Sequence, residues 1–336
     1  MLGIFFYILI LNAIFLIFFD NISNKINIFD IPSNPLKNHK KKIPAIGGLL
    51  FLVSITCYYI LNNFGFDNNY LSFKENISII IFILLFFIIG IYDDKFQITA
   101  NSKILLSILI ILIFLLMNEN FIINKLKFSV FDSYVDLKNV KIVFTILCII
   151  LFINACNMFD GINLQFGLYI LLLSIVLYSK IPIPGLFMTI IITCLFFLYL
   201  NGTNKLFIGN NGTLFFGAFF SIFFIYYYNF QQQVITADEI FLYMSIPGFD
   251  LIRVSLIRML RGHNIFLGDK NHLQHLLIKK HTLITSIFLI QIIIIVPIIY
   301  AYLTNKYLNG CLISLGLYIS LILYCKKESK TKAKYF

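Results

Sequence analysis

Eleven apolar runs, separated by short polar stretches, dominate this chain. They cover residues 2–19, 45–61, 77–91, 104–118, 141–156, 165–179, 183–200, 212–228, 238–250, 283–303 and 308–325. A helix needs about 20 apolar residues to cross a hydrocarbon layer, and somewhat fewer suffice in a thin or distorted one. The pattern therefore predicts an all-α, polytopic integral membrane protein with about 10–11 transmembrane helices in one transmembrane domain, residues 1–336. Several runs are short, which predicts tilted or broken helices beside a polar cavity. Between the fourth and fifth runs, Lys125-Leu126-Lys127-Phe128-Ser129-Val130 alternates polar and apolar residues and predicts a small hairpin within 119–140.

Composition leads to the same solvent. The chain is 60% hydrophobic and 12% charged, with 38 Phe, far from the near-half apolar and quarter charged of a soluble domain. The net charge of +11 is explained by basic loops on one side of a bilayer, and no nucleic-acid partner is expected. With the N-terminus outside, nineteen of the 26 Lys and Arg fall in inner loops, as the positive-inside rule requires. No Lys or Arg precedes the first run, so it is expected to remain as a span and not to be cleaved as a signal peptide. The six Cys show neither metal spacing nor a disulfide framework and read as small core residues.

This orientation gathers the polar motifs on the inner face. The third run ends in Gly90-Ile91-Tyr92-Asp93-Asp94-Lys95. Adjacent carboxylates repel unless a cation relieves them, and Mg²⁺ would bridge them to a phosphate; the plainer alternative is a solvated helix end. Lys103 follows, suited to neutralising a phosphate or an Asp. The first inner loop carries Lys37, His39 and Lys40 to Lys42, then Pro44 and Gly47-Gly48, a pattern for anionic groups and close backbone approach. Asn154, Asn157, Asp160 and Asn163 recur every third residue and would line one face of a helix end. Gly209-Asn210-Asn211-Gly212-Thr213 is a turn feeding a helix, able to hold a phosphate on backbone N–H groups. The loop 250–282 holds Asp250, Arg253, Arg258, Arg261, Asp269, His272 and His275. Its arginines suit phosphate forks, and its two histidines would share a helical face without the spacing of a zinc site.

Taken in this order, from Asp30 to about Leu277, the motifs resemble the polyprenyl-phosphate N-acetylhexosamine-1-phosphate transferases. That family includes the translocase I enzymes of peptidoglycan synthesis and the WecA-type enzymes that start O-antigen and related glycans. The Asn154-Ala-Cys-Asn-Met stretch and the lack of a three-His run are closer to the WecA type. The resemblance implies transfer of N-acetylhexosamine-1-phosphate, by default GlcNAc-1-phosphate, from a UDP-sugar to undecaprenyl phosphate. UMP is released at the cytoplasmic face of a bacterial inner membrane. Mg²⁺ is the implied cofactor, with Mn²⁺ as a substitute, and a homodimer is an expected assembly. Asp93, Asp94 and Asp160 become the catalytic acids, and Asp94, Asp160 and Asn210 the metal ligands. Lys103, Asn157, Asn163, Phe207 (against the uracil), Arg258, Arg261, His272 and His275 become substrate contacts.

The chain departs from the family at Asn210, which replaces an Asp that ligates the metal, at Asn163, which replaces a second Asp, and at Gln274, which replaces the inner His of H-x-H-H. These departures keep two alternatives open: a catalytically weakened member acting as a membrane partner, and a phospho-MurNAc-pentapeptide transferase. Direct attack by the lipid phosphate, with Asp93 taking its proton or orienting it, and a route through an aspartyl-phosphate both fit the sequence. A transporter would place its polar groups near the midplane, which this pattern does not.

Overall fold

The computed structural model describes residues 2–31, 41–62, 72–181, 183–230, 235–262 and 270–332. His39, Lys37, Lys40, Asp67, Gln231 and Asp269 lie outside them. The described residues form α1 (Leu2–Ile17), α2 (Phe19–Ile26), α3 (Gly47–Leu61), α4 (Phe73–Phe96), α5 (Ala100–Met117), α6 (Lys141–Phe159) and α7 (Gln165–Lys180). They continue with α8 (Pro184–Gly202), α9 (Gly209–Phe230), α10 (Ala237–Leu260), α11 (Leu273–Ile278), α12 (Leu283–Thr304) and α13 (Tyr307–Lys332). Two small antiparallel ribbons pair β1 (Phe29–Asp30) with β2 (Ile43–Pro44) and β3 (Lys125–Lys127) with β4 (Tyr134–Asp136).

Each of the eleven apolar runs is a helix, and the hairpin expected within 119–140 is present. Among the described residues, eight helices are long and apolar enough to cross a membrane, or nine if α1 and α2, bent by 69°, are one broken span. The short apolar helices are α3 and α7. One boundary is corrected. The ninth run was expected to end at 250, with a loop to 282, but α10 continues through Pro247 to Leu260. Asp250, Arg253 and Arg258 therefore stand on a helix. A proline is tolerated there because neighbouring helices re-satisfy the freed backbone.

The chain divides into two compact units. The first comprises Met1–Asn118 and Asn163–Ile222. In it α8 packs against α1, α3 and α7, and α4 packs against α5. Asn12 Nδ2, wholly buried, reaches Ile8 O at 2.9 Å, Thr193 Oγ1 at 3.2 Å and Ser54 Oγ at 3.4 Å, so one amide ties α1 to α3 and α8. Helix α4 opens on a capping box between Ser72 and Glu75. The Pro44 to Gly48 stretch has a backbone purpose. Phe207 N donates to Pro44 O, and Gly47 N and Gly48 N donate to Phe207 O and Ile208 O, at 2.9–3.1 Å. A methyl at Gly47 would sit 2.8 Å from Ile208 Cα.

The second unit comprises Glu119–Ile162 and Phe223–Phe336. Here α10 packs against α6, α12 and α13, and α11 rests on α12 and α13. The β3–β4 hairpin is held by Tyr228, whose hydroxyl accepts from Lys127 N and donates to Lys125 O, and by Asp238, which accepts from Ser129.

Candidate functional site

In the first unit the Asp pair ends α4, and each acid has its own partner. Asp93 is buried; its Oδ2 accepts from Lys103 Nζ, and its Oδ1 accepts from Ile98 N at 3.0 Å. Local chemistry sets this up. Gln97 ends α4 in the left-handed region at φ 55°, and Thr99 starts α5 by accepting from Ser102 N. Lys103 then lies one turn into α5 and reaches back.

Asp94 turns to another element. Its Oδ1 accepts from Asn210 N at 2.9 Å, and its Oδ2 accepts from Asn211 N at 3.0 Å and Asn211 Nδ2 at 2.6 Å. The carboxylate thus seats on the N-terminus of α9, where free N–H groups and the helix dipole favour negative charge. Gly90, one turn earlier on the same face of α4, makes the seat accessible. A methyl there would come within 2.5 Å of Asn210 O and Asn211 N. Gly209 enters the turn at φ 72°, a conformation that suits glycine.

One expectation changes as a result, since each acid has its own positive partner, an ammonium for Asp93 and a helix N-terminus for Asp94. The backbone N–H groups of Asn210 and Asn211 serve Asp94 instead of a ligand phosphate.

Asn163 also belongs to the first unit. Its Nδ2 donates to Asn204 Oδ1 at 2.6 Å and Asn201 O at 3.2 Å. Asn201, which sequence reasoning missed, accepts from Leu164 N at 2.6 Å and donates to Leu206 O at 2.8 Å. An Asn eight residues before the Gly-rich turn gives no signal of such a hub. Phe207 is half-buried, pinned by its backbone to Pro44.

In the second unit, α6 ends at Phe159, and Asp160 is its C-cap. The every-third-residue spacing therefore does not continue as one helical face. Asn154 bonds back to Ile150 O, Asn157 and Asp160 are half-buried at the helix end, and Asn163 lies past the turn. Gln274 Nε2 donates to Met158 O at 2.8 Å, and a methyl on Gly161 would come within 2.5 Å of that nitrogen. The glycine of Asp160-Gly161 thus admits the side chain that stands in for the family's inner histidine.

The hub of this unit is Asp250, buried and outside the predicted set. Its Oδ1 accepts from Arg253 Nη2 at 2.7 Å, Tyr318 Oη at 2.9 Å and Leu273 N at 3.1 Å. Its Oδ2 faces His272 Nδ1 at 2.7 Å, which places the proton of that ring on Nδ1. Nε2 of His272 lies 3.4 Å from Arg258 Nη2, and both residues are buried. His272 is the N-cap of α11 and His275 lies inside it, so they do not share a helical face. His275 is half-buried, and burial foremost, then the neighbouring His272 and Lys270, push its imidazole down to about 4. Arg261 is exposed at the end of α10. Among the described residues, no three His, Cys, Asp or Glu side chains gather as a metal cluster.

A model of glycosyl transferase family 4 matches residues 76–228. A probable undecaprenyl-phosphate N-acetylglucosaminyl 1-phosphate transferase of Bacillus subtilis is 26% identical over 261 residues, 76% of this chain and 70% of that protein. A phospho-N-acetylmuramoyl-pentapeptide-transferase of Petrotoga mobilis is 27% identical over 267 residues, 73% of this chain and 78% of its own. An undecaprenyl-phosphate alpha-N-acetylglucosaminyl 1-phosphate transferase of Thermotoga maritima is 22% identical over 259 residues, 77% of this chain and 75% of its own.

Proposed function

We propose that this chain, whose residues 76–228 match a model of glycosyl transferase family 4 and which is similar to undecaprenyl-phosphate N-acetylglucosaminyl 1-phosphate transferases, joins N-acetylhexosamine-1-phosphate to undecaprenyl phosphate. The donor in this reading is a UDP-sugar, by default UDP-GlcNAc, with QuiNAc, FucNAc and GalNAc nucleotides as alternatives. The step opens O-antigen, lipopolysaccharide or another cell-surface glycan at the cytoplasmic face of a bacterial inner membrane.

The observation that carries this reading is the division of labour between the two acids. Phosphoryl transfer asks mainly for positioning and charge neutralisation. Among the described residues, Asp93 makes two hydrogen bonds, to Lys103 and Ile98 N, so its carboxylate keeps acceptor sites for an incoming proton. Lys103, half-buried beside it, supplies the positive charge that would hold the acceptor's phosphate. In this mechanism the lipid phosphate oxygen attacks the donor phosphorus that bears the sugar. Asp93 orients that phosphate or takes its proton, and the bond to the UMP oxygen breaks. On the first unit, Asn163 serves the donor's polar groups and Phe207 its base. On the second, His275, held down to about 4, stays a neutral imidazole near pH 7.

Mg²⁺ fits the residues on the first unit. Asp94 keeps acceptor capacity on Oδ1, which takes a single N–H, and the side-chain amide of the adjoining Asn210 makes no hydrogen bond among the described residues. Two hard oxygens, completed by phosphate and water, make a usual Mg²⁺ environment. The ion would neutralise the donor diphosphate as UMP departs. Asn210 offers only a neutral oxygen, so the affinity should be modest.

The test is UMP release from UDP-GlcNAc by membranes carrying the protein and undecaprenyl phosphate. Asp93→Asn, Asp94→Asn and Asp160→Asn should each cut turnover by at least about 10²-fold. Wild-type rates in all three would end this assignment. Asn210 and Gln274 favour a second reading, a decayed transferase serving as a membrane partner. Inactivity of the natural chain with recovery in Asn210→Asp would select it.

A further inference from the structure

One cavity of the first unit is not used by the reaction above. It has a volume of about 1060 Å³ and lies under α2, where the chain bends by 69° as it leaves the first span. Its walls come from α1 and α2, the β1–β2 ribbon, and the end of α8 with the turn that follows it. Three lysines line it, Lys41, Lys42 and Lys205, against one acid, Asp20. Lys42 lies over the Phe29 ring, 4.8 Å from its centroid.

The rest of the lining is mixed, with Leu16, Phe19, Ile43 and Leu200 beside Asn24, Thr203 and Asn204. On the bend itself, Ile17 and Phe18 are 76% and 51% exposed, as expected where a span surfaces among lipid headgroups. At the floor, Ser23 is 3% exposed, yet its hydroxyl has no hydrogen-bond partner. A buried hydroxyl without a partner costs free energy, and a ligand oxygen would remove that cost.

We propose that this cavity holds the phosphate headgroup of an anionic membrane phospholipid. The lysine ammoniums meet the phosphate, Ser23 Oγ–H donates to a headgroup oxygen, and the acyl chains leave along Ile17 and Phe18. The surplus of positive charge selects an anionic headgroup over a zwitterionic one. The exposed apolar bend at Ile17 and Phe18 selects a lipid over a free phosphate.

The purified full-length chain in detergent can be examined by native mass spectrometry with dioctanoyl phosphatidylglycerol, and with dioctanoyl phosphatidylcholine as control. The natural chain should retain one phosphatidylglycerol and no phosphatidylcholine. Lys42→Gln with Lys205→Gln should weaken retention on the order of tenfold, and Ser23→Phe, which fills the floor, should abolish it. The lysine pair is exposed, so that variant should fold even if Ser23→Phe does not. Retention unchanged in the lysine variant would overturn the proposal. So would displacement of the lipid by UMP or by farnesyl phosphate, because the cavity would then belong to the reaction. The readout is binding and not turnover, so failure here is separate from failure of the proposed transferase activity.

Discussion

Two buried acidic centres, one in each unit, use the same device to different degrees. Asp94 caps the start of α9, and Asp250 caps the start of α11 through Leu273 N. Each unit also sets a cation against an acid, Lys103 on Asp93 and Arg253 on Asp250. They differ in saturation. A carboxylate offers about four lone-pair sites. Among the described residues, Asp250 takes four donors, Arg253, Tyr318, Leu273 N and His272, whereas Asp94 takes three and Asp93 two. A saturated acid is an anchor, whereas an acid with sites to spare can still meet a substrate. Burial alone would not rank them, because Asp93 and Asp250 are 6% and 3% exposed.

Mutations can break this ranking. Asp250→Ala strands Arg253 and unpins α11, and should cost about 3–5 kcal/mol, the range for breaking a buried charge pair; thermal unfolding in detergent would show it. Asp93→Asn should lose at least about 10²-fold in turnover while its unfolding temperature stays near that of the natural chain. If the two phenotypes were exchanged, saturation would not separate anchor from reactant. Gly90→Ala comes next. It presses a methyl on the Asn210–Asn211 backbone and should destabilise by about 1–3 kcal/mol, with a weaker Mg²⁺ dependence of UMP release as the second readout. Asn210→Asp should tighten the Mg²⁺ requirement roughly tenfold by adding a charged ligand.

The smallest effect concerns pH. The His275 value of about 4 lies below its ordinary 6.5, so the unfolded chain binds more protons between those values. Stability conferred by the neutral ring is complete above about 6.5 and is lost as pH falls towards about 4. Allowing for the partly exposed ring, the loss should be about 1 kcal/mol. Unfolding temperatures across this window should flatten in His275→Asn.

The membrane helices were legible because lipid leaves a chain few options, and runs of Ile and Phe declare a span without help from tertiary contacts. The boundary at 250 was misplaced because Asp250, Arg253 and Arg258 look like loop residues until their partners on α11 and α13 are known. Asp93, Asp94 and Lys103 were legible as polar residues at a span's end. Their pairing was not, because Asp94 is satisfied by backbone groups more than a hundred residues away. The same holds for Gly161 and Gln274, whose fit depends on a contact across 113 positions of sequence. Motif order therefore points to polar residues at span ends, whereas three-dimensional contacts reveal how each of them is paired.

Asn12 has a consequence beyond its own hydrogen bonds. In hydrocarbon an amide cannot exchange a lost partner for water, so sliding α1 by one turn against α3 or α8 would strand it. The three helices are thereby levelled against each other. The start of α3, where Gly47 and Gly48 grip the backbone ahead of α9, inherits that fixed height. An amide buried among three helices thus sets the elevation of the platform on which Asp94 rests, although it touches nothing that reacts.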